Sequence, residues 1–174
     1  NLDRKIVADA KLEIVTDKNQ AEALEVLRHD CAHVLAMAVQ ELYPGTQITF
    51  GPSIEDGFYY DFHRALPFST DDFPAIEAKM KEIVDRNVAI VREVWSRDDV
   101  GKFFTDKGET FKAEWVQELP QGEEISMYRQ GDWADLCRGP HLPATGRLGK
   151  AFKLTKLAGA YWRGDSSRAQ LQRI

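Results

Sequence analysis

Apolar residues recur at helical spacing from about Ala21 to Tyr43, and Pro44-Gly45 closes the run, so the pattern predicts a helix with Asp17 or Asn19 as its N-cap. At about 100° per residue, Leu24, Leu27, Cys31, Leu35, Ala38 and Leu42 fall near one line and form the expected core face. His29, His33 and Gln40 fall on the opposite side, beside Ala36 and Met37. Small and apolar neighbours mark that second face as the wall of a cleft. Ahead of the helix, KIVADAKLEIVTD reads as a short extended segment.

The pattern then changes period. TQITFGPSIEDGFYYDF reads as two strands joined at Glu55-Asp56-Gly57, with Gly51-Pro52 marking a bulge or a close backbone approach. Ser69-Thr70-Asp71-Asp72 can cap a helix over about 73–86 that carries Ile76, Met80 and Ile83 on one side. VAIVREVW (88–95) reads as a strand, and Ser96 with Asp99 resembles a capping signature for a short helix ending before Gly108. FKAEWVQEL predicts one more helix, while EISMYRQ, DWADLC, KAFKLTKL and GAYWRG read as strands. Strands and helices interleave without a regular βαβ alternation, so the expected class is α+β, with a largely antiparallel β-sheet packed with helices.

Composition narrows the setting. The 174 residues suffice for one large domain with a real core, 29% are charged, and no apolar stretch is long enough to cross a bilayer. No secretory signal is visible, and Cys31 and Cys137 read as free thiols of a cytoplasmic protein. The chain starts without methionine and reads as a piece of a longer polypeptide. Its net charge of −5 is uneven: from Arg138 onward eight basic residues face Asp165 alone. Such a basic quarter suits either a face that meets phosphates, with steeply salt-dependent binding, or simply solvated strand surfaces.

The candidate chemistry lies in two pairs of equal spacing. His29 and His33 stand one helical turn apart, and Cys137 and His141 flank an Arg-Gly-Pro whose glycine and proline imply a sharp turn. Three of four histidines and one of two cysteines fall into these pairs, which chance explains poorly. The quartet can hold zinc, position substrate and water with a histidine as acid or base, or present Cys137 as a nucleophile; spacing alone leaves all three open. Asp135, two before Cys137 on a strand, shares its face and can orient an imidazole or accept from a substrate amine.

RHDCAHVLAMAVQELYPG, FGPSIEDGFYYDF, GETFKAEW, WADLCRGPH and KLAGAYWRGDSSRAQLQRI together resemble, in order, the editing domain of bacterial threonyl-tRNA synthetases. That domain belongs to the threonyl/alanyl-tRNA synthetase second additional domain family, and the resemblance implies its editing-domain fold. It also implies a division of the chain: residues 1–18 as the tail of a preceding ubiquitin-like (TGS) domain or linker, 19–163 as the editing domain, and 164–174 as a linker toward an aminoacylation domain. ATP and a zinc ion would belong to that further domain. Full-length enzymes of this kind are expected to pair through other domains, leaving the piece monomeric and away from membranes.

The implied activity is hydrolysis of serine from mischarged Ser-tRNA(Thr). A synthetic pocket shaped for threonine excludes serine poorly, because one methyl is worth only about 1–3 kcal/mol, and a second, hydrolytic pocket supplies the rest. By resemblance His29, His33, Lys112 and Asp135 are the catalytic set, and Tyr60, Cys137 and His141 contact the substrate or shape the pocket. Lys112, on a short helix, is raised above an ordinary solvated lysine by the resemblance alone. Alanyl relatives hold zinc with the positions of His29, His33, Cys137 and His141, whereas the threonyl branch is thought to work without it, so no cofactor is expected in this domain. Two rivals remain: zinc-dependent alanyl-type editing of Ser-tRNA(Ala), and a non-catalytic tRNA-binding module.

Overall fold

In the computed structural model, which describes residues 5–11, 14–16 and 18–174, the first long element is α1 (Gln20–Leu42). Every residue from Asp30 to Val39 is buried, so the second half of α1 is enclosed all round, as a central helix is. Both the core face and the histidine face expected from the sequence are thus covered over this half. Leu35 and Ala38 lie in the core, but Leu24, on the same line, is 43% exposed in the solvent-facing first turns. Asn19 occupies the cap position yet turns its side-chain oxygen back toward the Thr16 amide, 3.1 Å away, while Asp17 lies outside the described residues. The described part of the segment expected to be extended before α1 forms no strand; its Leu12, Glu13 and Asp17 lie outside the description, as do residues 1–4.

The two strands expected next are four short ones: β1 (Gln47–Ile48), β2 (Ser53–Ile54), β3 (Gly57–Phe58) and β4 (Asp61–His63). β2 and β3 form the hairpin around Glu55-Asp56, with Ser53 opposite Phe58. Gly51 interrupts the run because any side chain there would overlap the Tyr60 ring. α2 (Phe73–Arg86) follows a single 3-10 turn whose capping box joins Ser69 and Asp72. Ile76, Met80 and Ile83 are buried, and Arg86 forks onto Glu41 of α1 at 2.6 and 2.8 Å.

β5 (Ile90–Trp95) leads to α3 (Arg97–Asp106), capped by Ser96 on the Asp99 amide as its signature predicts, and to α4 (Thr110–Glu118). The remaining strands are β6 (Ile125–Gln130), β7 (Trp133–Leu136), β8 (Ala158–Tyr161) and β9 (Gln170–Arg173). KAFKLTKL, expected as a strand up to Leu157, is not one. The buried Glu77 carboxylate of α2 binds the Leu154 amide at 2.8 Å and Lys153 Nζ at 2.9 Å, and so takes the place of a strand partner. GAYWRG is a strand only to Tyr161, after which a 3-10 turn buries Trp162.

Among the described residues every strand pair is antiparallel: β1-β4-β9-β8 in one sheet, β5-β6-β7 in another, with the β2-β3 hairpin apart. The architecture is α+β. One core joins α1 and α2 to β1 and β4; a second lies between α3, α4 and the three-stranded sheet. The segment 164–174, read from sequence as a linker, carries β9 in the interior of the four-stranded sheet. Beyond it Ile174 exchanges backbone hydrogen bonds with Tyr60 at 2.9 and 3.1 Å, so the segment is bonded into the domain.

The basic C-terminal quarter is less free than its composition suggests. Arg138 pairs with Glu123, Lys150 with Asp85, Lys153 with Glu77, Arg163 with Glu118, Arg168 with Glu114 and Arg173 with Asp61. Six of its eight cations are thus offset by acids of the body. Among the described residues no helix is long and apolar enough to cross a membrane.

Candidate functional site

α1 delivers His29, at the edge of its enclosed half, and His33, within it, to one place, and the loop after β7 delivers Cys137 and His141 to the same place. Gly139, with φ of +67°, turns the chain against the Tyr128 hydroxyl, a contact that leaves no room for a side chain. The Gly139 amide donates to Cys137 Sγ at 3.0 Å, and His141 Nε2 returns to 3.3 Å from the same sulfur. His29 Nε2 lies 2.8 Å from it. The three imidazole rings are packed centroid to centroid at 4.5 to 4.8 Å.

A buried carboxylate that the sequence reading did not single out organises this cluster. Asp30 Oδ1 accepts from His141 Nδ1 at 3.0 Å and Oδ2 from the Leu142 amide at 3.0 Å. Burial alone would lower the His141 pKa, but the bonds to Asp30 and Cys137 reverse that and raise it to about 9. Burial alone would likewise push the Cys137 thiol up, and the bonds from His141 and His29 bring it down to about 6. The mutual bonds favour a thiolate beside an imidazolium. Burial, and then the charges of His141, His29 and Lys112, hold the His33 pKa well below its usual value, so that ring is neutral. The Gln130 side-chain amide approaches its Nδ1 at 3.4 Å.

The second half of the site is an ion pair. Lys112 of α4 and Asp135 of β7 are each 1% exposed, and Lys112 Nζ lies 2.7 Å from Asp135 Oδ1. Tyr60, also 1% exposed, donates its hydroxyl to Asp135 Oδ2 at 2.6 Å. Burial first, and then the Asp135 charge, push the Tyr60 pKa well above its usual value and keep the phenol a donor. Lys112 is no ordinary solvated lysine: it is buried on Asp135, with the Phe50 and Tyr60 rings beside its ammonium.

A cavity of about 520 Å³ joins the halves, with His29, His33, Tyr60, Lys112, Asp135 and Cys137 on its wall. His141, almost wholly buried, stands behind Cys137 as its partner. All seven residues expected from the sequence thus meet. Gln40 lies on the histidine face as expected; unforeseen were Asp30, Gln130 and Glu109, the partner of Gln40, because each sits at a position whose partner is distant in the chain.

The quartet can also hold a metal. One donor atom from each of His29, His33, Cys137 and His141 lies within 4.8 Å of the others. Tetrahedral zinc with nitrogen and sulfur ligands spaces its donors about 3.3–3.6 Å apart, so the widest separations would close by about 1 Å while His29 Nε2 and Cys137 Sγ, 2.8 Å apart, would open. The kind and number of donors fit, and Asp30 behind His141 supplies the carboxylate that commonly orients a histidine ligand.

Residues 125–174 match the family described as threonyl and alanyl tRNA synthetase second additional domain. Among curated proteins the chain is similar to the threonine–tRNA ligase of Rhodospirillum rubrum, 63% identical over 97% of the chain and 26% of that protein. It is 65% identical to that of Thiobacillus denitrificans over 97% of the chain and 26% of the relative, and 62% identical to that of Granulibacter bethesdensis over 100% and 27%. The chain therefore spans about a quarter of the length of these relatives.

Proposed function

The chain belongs to the threonyl and alanyl tRNA synthetase second additional domain family, and on that premise we propose that it hydrolyses serine from mischarged Ser-tRNA(Thr) as the proofreading part of a threonine–tRNA ligase. The observation that carries this reading is the meeting, on one cavity wall, of the buried Lys112–Asp135 pair with the histidine–cysteine cluster. Ester hydrolysis by water needs a held nucleophile, charge stabilisation at the carbonyl oxygen and a proton for the leaving ribose hydroxyl. Lys112 supplies positive charge without exposure to bulk water, and Asp135 grips the seryl amine or hydroxyl while fixing Lys112 and Tyr60. His29 and His33, at the cavity wall, hold the water and return the proton to the leaving oxygen. Cys137 shapes the wall beside His29, with His141 behind it.

Partner and setting follow from the same reading: the acceptor end of tRNA(Thr) carrying serine, in the cytoplasm. The four donors work without a metal here, because the Lys112 ammonium already provides the positive charge facing the substrate. If zinc were bound by His29, His33, Cys137 and His141, it would polarise the ester carbonyl or a water, which is the alanyl-type alternative.

Deacylation assays with Ser-tRNA(Thr) and Ser-tRNA(Ala), alongside metal analysis of protein purified without chelator, test the proposal. It expects selective loss of serine from tRNA(Thr), abolished in His29→Ala and Lys112→Ala while tRNA binding persists. Equal rates on both tRNAs with stoichiometric zinc would replace it by the alanyl-type reading; tRNA binding without any deacylation would leave a binding module.

A further inference from the structure

Behind His33 lies a layer of polar side chains that the mechanism does not use. Glu109, just before α4, is 5% exposed, and its carboxylate does not cap its own helix. Its Oε2 accepts from the Ile48 amide of β1 at 2.8 Å, and its Oε1 accepts from Gln40 Nε2 of α1. Gln40 Nε2 also donates to the Thr46 carbonyl at 3.0 Å, while its Oε1 accepts from the Trp133 indole at 2.8 Å. An indole N–H only donates, so the Gln40 amide is oriented without ambiguity. Trp133 then meets the His33 ring edge to face, centroids 5.4 Å apart.

We propose that Glu109 is a positioning residue of the editing pocket: its carboxylate holds the Gln40–Trp133 pair against His33 and anchors the start of the helix that carries Lys112. The inference rests on the editing reading above. Glu109 joins α1, β1 and α4 through one side chain, and Lys112 is three residues further along α4, one turn away. The two catalytic halves, the imidazole wall and the ammonium, are thereby fixed relative to each other from behind.

Both Glu109 oxygens accept from N–H donors, so the carboxylate matches the layer and the neutral acid does not. Protonation turns one oxygen into a hydroxyl, a poorer acceptor that also carries a proton with no acceptor in the layer, so one of the two bonds is weakened. Burial raises the Glu109 pKa to about 7, against the bonds from Ile48 and Gln40 and the Lys112 charge, which lower it, and the Asp135 charge, which adds to the rise. A second cavity of about 810 Å³, lined by Gln40, Glu109, Gln130 and Trp133 on the side away from the ester, brings solvent protons to the layer. The charged residues on its rim are Glu41, Arg86, Lys107 and Asp132. The positioned state is therefore the high-pH state, lost as pH falls through neutrality.

Two readouts test this. In the chain labelled with ¹⁵N-tryptophan, with the resonance assigned by Trp133→Phe, the Trp133 indole N–H is expected to shift with a midpoint near pH 7 and to stop titrating in Glu109→Gln. In single-turnover deacylation of Ser-tRNA(Thr), Glu109→Gln is expected to slow the step at least tenfold at pH 8, leave half-saturation unchanged and remove the acidic inflection. Gln40→Leu, which cuts the link without touching a titratable group, is expected to show the same loss of rate. A Trp133 resonance that titrates identically in Glu109→Gln overturns the proposal, as does Gln40→Leu at the parental rate. So does a Glu109→Gln protein that melts early but keeps the parental rate and pH profile. An inactive parent chain overturns the editing reading itself, which an active parent with fully active variants does not.

Discussion

Lys112 Nζ sits 2.7 Å from Asp135 Oδ1 with both side chains almost completely removed from solvent. An ion pair so placed contributes little net stability relative to apolar residues of similar volume, yet removing one partner strands the other charge. Lys112→Met should therefore lower folding stability by about 3–5 kcal/mol in urea unfolding. Adding Asp135→Leu should recover part of that loss. Recovery is incomplete because Tyr60 loses its 2.6 Å acceptor and keeps only the Thr49 carbonyl at 3.5 Å. Neither variant should deacylate Ser-tRNA(Thr). A double variant less stable than the single would show that Asp135 stabilises the fold without Lys112, through its bonds to Tyr60 and the Leu136 amide.

The sequence made the helices and the chemistry legible for different reasons. α2 and α3 announce themselves by local rules, the Ser69–Asp72 box and the Ser96 cap, because a cap satisfies amides one turn away. HxxxH and CxxxH stood out because Cys and His are rare in the chain, and the meeting of Lys112 with Asp135 was available only through family resemblance. Non-local bonds were illegible. Nothing in KAFKLTKL says that Glu77, on another element, will take the Leu154 amide. Nothing in Gln170–Arg173 says that it will be an interior strand. Asp30 was hidden by its neighbour: on the helical wheel it belongs to neither the core face nor the histidine face, and its value lies in a loop 111 residues away.

The thiols should differ in reactivity. Burial, and then the Asp30 charge, push Cys31 up to about 12, whereas the His141 and His29 bonds bring Cys137 down to about 6 against burial. Iodoacetamide at pH 7 should modify Cys137 alone, with a rate that falls as pH drops below about 6 and the thiolate is protonated. Asp30→Asn should slow this alkylation several-fold, because an amide no longer stabilises the His141 imidazolium that faces the sulfur. Peptide mapping after timed quenching measures both. Preferential labelling of Cys31 would contradict the assignment.

Binding to tRNA should respond to salt less than the basic C-terminal quarter suggests. Each phosphate contact contributes close to one unit of slope in log K against log salt. Six of the eight cations there are engaged with acids of the same chain, including Arg173 on Asp61 at 2.7 Å. A slope of about 2 or less is expected for the chain alone in a filter-binding titration. A slope of 5 or more would mean that the pairs open on docking and that this quarter is the phosphate face.

Glu109 should make the fold pay for its function in a pH-dependent way. Its carboxyl is raised in the folded state from 4.5 to about 7, chiefly by burial, so between these values the folded chain holds a proton that the unfolded chain has released. Its stabilising share is full below about pH 4.5, shrinks as pH rises, and is gone above about pH 7. A shift of that size corresponds to roughly 3 kcal/mol between the two limits. Glu109→Gln carries no such proton. Relative to the parent, the variant should be most destabilised near pH 5 and should approach or overtake it near pH 8, where the parent buries a charge. Urea melts of both proteins at pH 5, 6, 7 and 8 measure the difference directly; a gap that stays constant, or widens with pH, would show that Glu109 is ionised throughout. The state that is worse for stability is the one whose two oxygens both accept, from Ile48 and Gln40, and so the one that aligns His33.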